Sequence, residues 1–132
     1  MNDLLTLNLR KQYPDFQLPV SASFPSGIVA VFGPSGSWKT TLLNCIAGLT
    51  DPDEGEINLA DETLFSTTHN VRLSPEKRRV GYMFQNSLLF PHLSVKENIY
   101  YGYKLTPPAL RRIEPTDLVE LLERGQLLYR RP

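Results

Sequence analysis

The chain has 132 residues, 41% hydrophobic and 21% charged, a composition that suits one globular domain with a modest core. Lys plus Arg and Asp plus Glu each total 14, so the formal net charge is zero. That balance argues against a domain that holds nucleic acid by bulk positive charge, and no nucleic-acid partner is expected.

The single cysteine, Cys45, rules out an internal disulfide. Its neighbours Leu42, Leu43, Ile46 and Ala47 mark it as a small buried hydrophobe. His69 and His92 lie far apart without zinc-ligand spacing and are expected in loops. No apolar run approaches the length of a membrane span. The start, Met1-Asn2-Asp3, lacks the pattern of a secretion signal. A cytosolic protein is expected, able to sit against a membrane by binding a partner.

In chain order, Leu5, Leu7 and Leu9 alternate with polar residues, the period-2 pattern of a half-buried strand. Tyr13-Pro14-Asp15 reads as a turn. Phe16, Leu18 and Val20 suggest a second strand, in which Pro19 favours an edge position. The run Ile28-Val29-Ala30-Val31-Phe32 is continuously apolar and predicts a strand buried on both faces. Helical spacing then runs from Lys39 through Leu42, Leu43 and Ile46 to a stop at Gly48. Ile57 and Leu59 suggest a short strand, followed by a polar stretch without assignment through Asn70. Ser74-Pro75-Glu76 predicts a single helical turn, and Val80-Gly81-Tyr82-Met83-Phe84 predicts a second core strand. Ser94-Val95-Lys96-Glu97 fits a capping box that opens a short helix. A last helix is expected from about Thr116 to Arg124, with Gly125 as its stop.

The segment Gly33-Pro34-Ser35-Gly36-Ser37-Trp38-Lys39-Thr40 lies between the first apolar run and the first helix. It meets the phosphate-loop pattern G-x-x-x-x-G-K-[S/T] at Gly33, Lys39 and Thr40, with Trp38 in place of the second glycine. Such a loop exposes consecutive backbone N–H groups as an anion nest, and the helix behind it points its positive end at the same place. Lys39 would reach β- and γ-phosphates, Thr40 would ligate Mg²⁺, and Thr41 would reach the α-phosphate. The bland alternative is a glycine-containing turn before an ordinary helix; the strand-loop-helix context weighs against it.

Three blocks extend this motif: Phe32 to Leu43; Ile46-Ala47-Gly48-Leu49 with Pro52, Gly55 and Ile57; and Pro75 to Gln85, continuing through Leu89-Phe90-Pro91-His92-Leu93-Ser94-Val95 and Glu97-Asn98-Ile99. Together they resemble, in family order, an ATP-binding subunit of the ATP-binding cassette (ABC) family. The phrase from Leu73 to Gln85 looks most like molybdate importers, and sulfate and polyamine importers share much of it. The resemblance implies an α/β fold: a three-layer P-loop NTPase core, an antiparallel β subdomain, and a helical subdomain, about 91–132, left incomplete. The whole of 1–132 would be one truncated nucleotide-binding domain, with its phosphate loop at 33–40 and its Q-loop around 85.

The same resemblance implies ATP and Mg²⁺ as cofactors, and ATP binding and hydrolysis coupled to solute uptake. It implies partnership with transmembrane permease subunits and head-to-tail pairing with a second ATP-binding subunit. The location would be peripheral, at the inner face of the cell membrane. Gln85 would contact Mg²⁺ and the attacking water. Leu88, Leu89 and Phe90 would lie near the membrane partner, with core packing as the alternative. Tyr13 is the candidate to stack on adenine, with Phe16 second. Lys77-Arg78-Arg79 reads as a solvated turn.

Two departures qualify this picture. A left-handed backbone at Trp38 would cost roughly 1–2 kcal/mol, so weakened ATP binding is expected. A relaxed loop with the indole in solvent would soften that effect. The family's Leu-Ser-Gly-Gly signature, its Asp-Glu strand and its switch histidine are also missing from these residues. Little or no ATPase activity is therefore expected from this polypeptide. A non-catalytic remnant and a soluble ABC-type ATPase are the competing readings.

Overall fold

The structure is a computed structural model that describes residues 3–34, 36, 38–86, 88–123 and 125–132. It divides into two units, Met1–Tyr82 and Met83–Pro132. In the first, the strands β1 (Leu5–Gln12), β2 (Gln17–Phe24), β3 (Glu54–Leu59), β4 (Glu62–Ser66) and β5 (Val71–Arg72) form one antiparallel sheet. Their order is β2-β1-β3-β4-β5.

The leucine alternation produces β1, with Leu7 and Leu9 buried. It pairs with β2 from Leu5↔Phe24 to Gln12↔Gln17, through a turn closed by the Tyr13 N–H donating to Phe16 O at 2.8 Å. Strand β2 lies at the sheet edge, as Pro19 required, because an edge can leave a missing N–H donor unpaired. Gly55 lets β3 approach β1: its φ is 115°, and a Cβ there would sit 2.0 Å from the carbonyl oxygen of Asn8.

The stretch after Leu59 holds two strands that its polarity concealed. Strands β3 and β4 meet through a two-residue turn whose first residue, Ala60, has φ 50°. The register shifts between Ile57 and Asn58, whose partners are Phe65 and Thr63, so Leu64 is an extra, bulged residue. Leu64 and Phe65 are consecutive and both buried, which breaks the alternation a strand pattern relies on.

Helix α1 (Lys39–Ala47) lays Leu42 and Cys45 onto Leu7, Leu9, Ile57, Leu64 and Phe65, the core of this unit. It ends at Gly48, whose left-handed backbone (φ 79°) returns its N–H to Asn44 O and Cys45 O. A 3₁₀ turn at Pro75–Lys77 matches the expected single turn.

The two apolar runs depart from expectation. Residues 28–32 and 80–84 form no strand. Ile28 is fully exposed, and Phe32 and Met83 are 85% and 96% exposed. A continuously apolar run becomes a doubly buried strand only between neighbours that complete its ladders. Among the described residues, no strand pairs with either run.

In the second unit, α2 (Val95–Leu105) starts with the expected capping box. The Glu97 N–H donates to Ser94 Oγ at 3.3 Å, and Glu97 Oε2 accepts the Ser94 N–H at 2.7 Å. Asn98 ties the preceding turn to this helix, accepting from Phe90 N at 2.8 Å and donating back to Phe90 O at 3.1 Å. Helix α3 (Pro115–Leu121) ends before the expected Arg124, which lies outside the described residues. Gly125 opens a short 3₁₀ turn. Among the described residues, no helix is long and apolar enough to cross a membrane.

Candidate functional site

The phosphate-loop segment and the start of α1 carry the site's chemistry. Ser35 and Ser37 lie outside the described residues. Gly33, Pro34 and Gly36 are exposed, and Gly36 takes the left-handed conformation with φ 74°. Lys39 reaches back across the loop: its Nζ donates to Gly33 O at 2.8 Å and to Pro34 O at 2.6 Å. The ammonium thus ties together the first two residues of the motif.

In the first turn of α1 the Leu42 N–H donates to Trp38 O at 2.8 Å. The first turn of α1 contains no acidic side chain. Its positive end is therefore not neutralised by a carboxylate of its own.

Trp38 corrects a premise. It caps α1 with φ −57° and ψ −6°, an ordinary right-handed backbone, and the left-handed demand falls on Gly36 instead. The loop relaxes, yet the indole does not point to solvent. It is half-buried against the core of Leu7, Leu9, Leu42 and their neighbours.

The two aromatic candidates are found together. Tyr13 stacks on Phe16 with ring centroids 4.7 Å apart and planes 11° from parallel. The Tyr13 hydroxyl also lies 3.1 Å from Thr41 Oγ1, so the β1–β2 turn is bonded to α1. The structure thus brings Tyr13 to the helix of Lys39, Thr40 and Thr41; Thr40 itself is exposed. Gln85 is exposed and belongs to the second unit. Leu88 and Leu89 are also exposed there, which removes core packing as their role in this structure.

Arg78 is the residue that sequence reasoning missed. Lys77 and Arg79 are exposed as expected of a solvated turn, but Arg78 is only 1% exposed. Its Nη1 donates to Cys45 O at 2.7 Å and to Ile46 O at 3.0 Å, and its Nε donates to Leu73 O at 2.8 Å. Two of these acceptors are carbonyls at the C-terminal end of α1, whose own last turn has no basic residue. Burial lowers the Arg78 pKa, and Asp51 opposes that effect. Four residues on, the Tyr82 hydroxyl donates to Asn44 Oδ1 at 2.8 Å. The only sequence signal was the missing cation in α1.

The remaining groups fit the bland expectations. Cys45 has no exposed surface, and burial pushes its thiol pKa up. His69 lies in the turn after β4, its Nδ1 3.1 Å from Ser66 Oγ. No group of three metal-ligating side chains occurs among the described residues. A groove of about 500 Å³, lined by residues such as Asn8, Arg10, Ser21, Glu54 and Thr67, crosses the sheet. None of the described loop residues lines it.

Comparison with known proteins bears on the same elements. The family model described as ABC transporter matches residues 19–131. The molybdenum import ATP-binding protein ModC of Paramagnetospirillum magneticum is 46% identical over 129 residues, covering 98% of this chain and 36% of that protein. Its counterpart in Shewanella oneidensis is 52% identical over 108 residues, covering 81% of this chain and 30% of that protein. The chain thus spans about a third of the length of these relatives. A solved structure described as an ATP-binding cassette of an ABC transporter superposes with a TM-score of 0.70 at 23% identity. It covers 99% of this chain and 58% of that one, so the two share a fold.

Proposed function

This chain belongs to the ABC transporter family, and from that premise we propose that it binds Mg-ATP as the N-terminal portion of an importer's ATP-binding subunit. Molybdate is the proposed cargo, following the names of the relatives. The observation that supports this reading is the hand-over at Lys39. An exposed loop with a left-handed glycine at Gly36 runs into a helix whose positive end carries a lysine, two threonines and no carboxylate.

This donor set fits a triphosphate and its metal. Lys39 would exchange the carbonyls of Gly33 and Pro34 for β- and γ-phosphate oxygens. Thr40 supplies a hydroxyl ligand for Mg²⁺. Thr41, which now contacts Tyr13, would meet the α-phosphate, and the Tyr13 ring, backed by Phe16, would offer a face to adenine. By resemblance, Gly33, Pro34, Ser35, Gly36, Ser37 and Trp38 would line the phosphate site. When bound, ATP would supply the β–γ phosphoanhydride bond whose hydrolysis, in a complete subunit, would drive uptake. The assignment of Gln85 to the metal and attacking water rests on family resemblance alone.

The proposed partners are transmembrane permease subunits, met near Leu88, Leu89 and Phe90, and a second ATP-binding subunit. The proposed location is the inner face of the membrane, reached through the permease. Calorimetric titration with Mg-ATP tests the nucleotide reading. Lys39→Ala should weaken binding by at least about tenfold, as expected for a lost charge-assisted contact to phosphate. Equal affinity in parent and variant would remove Lys39 from the site.

A further inference from the structure

We propose that Arg78 is a positioning residue for the phosphate loop, acting from the opposite end of α1; this rests on the nucleotide reading above. A guanidinium withdrawn from water is costly, and replacing buried ionic groups with apolar ones is often neutral or stabilising. Here one guanidinium nitrogen, Nη2, is buried without a hydrogen-bond partner among the described residues. Stability alone is a poor reason for such a group. Directionality is a better one.

Helix α1 has nine residues and spans about 13 Å. Its buried residues are Leu42, Cys45 and Ala47, and such apolar contacts fix depth on the sheet better than position along it. At the N-terminal end Trp38 makes no side-chain cap bond. At the C-terminal end, Arg78 grips Cys45 O and Ile46 O while Leu73 O holds its Nε. Those three bonds tie the axial position of α1 to the segment that follows β5. Lys39 and Thr40 ride on the same short rod, so its position sets where they stand.

Gly48 belongs to this device. A Cβ at Gly48 would lie 2.6 Å from Arg78 Nε, against the side chain that grips the helix. Its positive φ closes the helix where the guanidinium enters. Tyr82 adds a second tether through Asn44, on the same half of α1.

The test compares Arg78→Met, Arg78→Lys and Gly48→Ala with the parent. Leu18→Ala, away from α1 and its core cluster, serves as a control for lost stability. Two readouts are taken well below each melting temperature: Mg-ATP affinity by calorimetry, and the emission and acrylamide quenching of Trp38, the only tryptophan.

Arg78→Met and Gly48→Ala should each weaken affinity by roughly tenfold and shift Trp38 emission, because small displacements of binding groups are costly. Arg78→Lys, which keeps the charge and loses the fork, should fall between Arg78→Met and the parent. Leu18→Ala should lower the melting temperature and leave both readouts unchanged. If the Arg78 and Gly48 variants also lose only melting temperature, the positioning role is refuted. If the parent itself does not bind Mg-ATP, the nucleotide reading fails instead. The Trp38 signal then decides the positioning claim by itself, a shift supporting it and no shift overturning it.

Discussion

The antiparallel sheet is built from half-polar sequence and the two runs from more apolar sequence, yet the sheet is ordered into strands and the runs are not. Strands β1 to β5 pair with neighbours in the hairpins and with β3 beside β1, all within the first 72 residues. Residues 28–32 and 80–84 have stronger apolar character but form no strand. Sheet structure therefore follows the availability of a ladder partner more closely than hydrophobicity. The phosphate loop sits between the two regimes. It follows an unpaired apolar run and is held from behind by a helix seated on the paired sheet.

The contrast predicts opposite responses to losing an apolar side chain. Leu64→Ala removes a side chain with no exposed surface and should cost about 2–5 kcal/mol in denaturant unfolding. Phe32→Ser, at a position 85% exposed, should change stability by less than about 0.5 kcal/mol. It should also reduce light scattering on concentration, because exposed apolar runs promote association. A large loss for Phe32→Ser would show that the run is packed in solution.

Trp38→Gly sharpens the comparison at the boundary. The indole leans on the sheet core, so its removal should cost about 1–2 kcal/mol, below the range for a fully buried tryptophan. Because the backbone at residue 38 is right-handed, Mg-ATP affinity should change by no more than about threefold. A gain of about tenfold would instead mean that the bound loop demands a left-handed residue there.

The smallest effect lies in the second unit. The Ser94 N–H and hydroxyl hold the Glu97 carboxyl below its ordinary pKa of 4.5. A depressed folded pKa means that the capping contribution is complete above 4.5 and fades as pH falls through the lower folded value. Helical circular dichroism should therefore decline slightly on acidification below that point. Glu97→Ala should begin lower and lose this component of the pH dependence.

Local rules were legible where local partners satisfied them. The leucine alternation of β1, the edge position of Pro19, the stop at Gly48 and the capping box at Ser94 each depend on residues close in sequence, or on one hairpin. Strand β4 was hidden because a bulge at Leu64 breaks the alternation that reveals a strand, and β5, two residues long, is too short to show a period. The apolar runs were misread because their pattern states what environment they need, and says nothing of whether a neighbour supplies it. Tyr13 and Thr41 were each recognised, but their bond joins a turn to a helix 28 residues away. Arg78 was hidden most completely, since a basic triplet looks solvated until the end of α1 closes over its middle member.

Amide hydrogen exchange across residues 33–48, with and without Mg-ATP, tests the central claim most directly. If the loop and the first turns of α1 cradle a triphosphate, Mg-ATP should protect the amides of Gly36 through Leu42, and Lys39→Ala should abolish that protection. Unchanged exchange in this segment at saturating Mg-ATP, or protection that persists without the lysine, would contradict it.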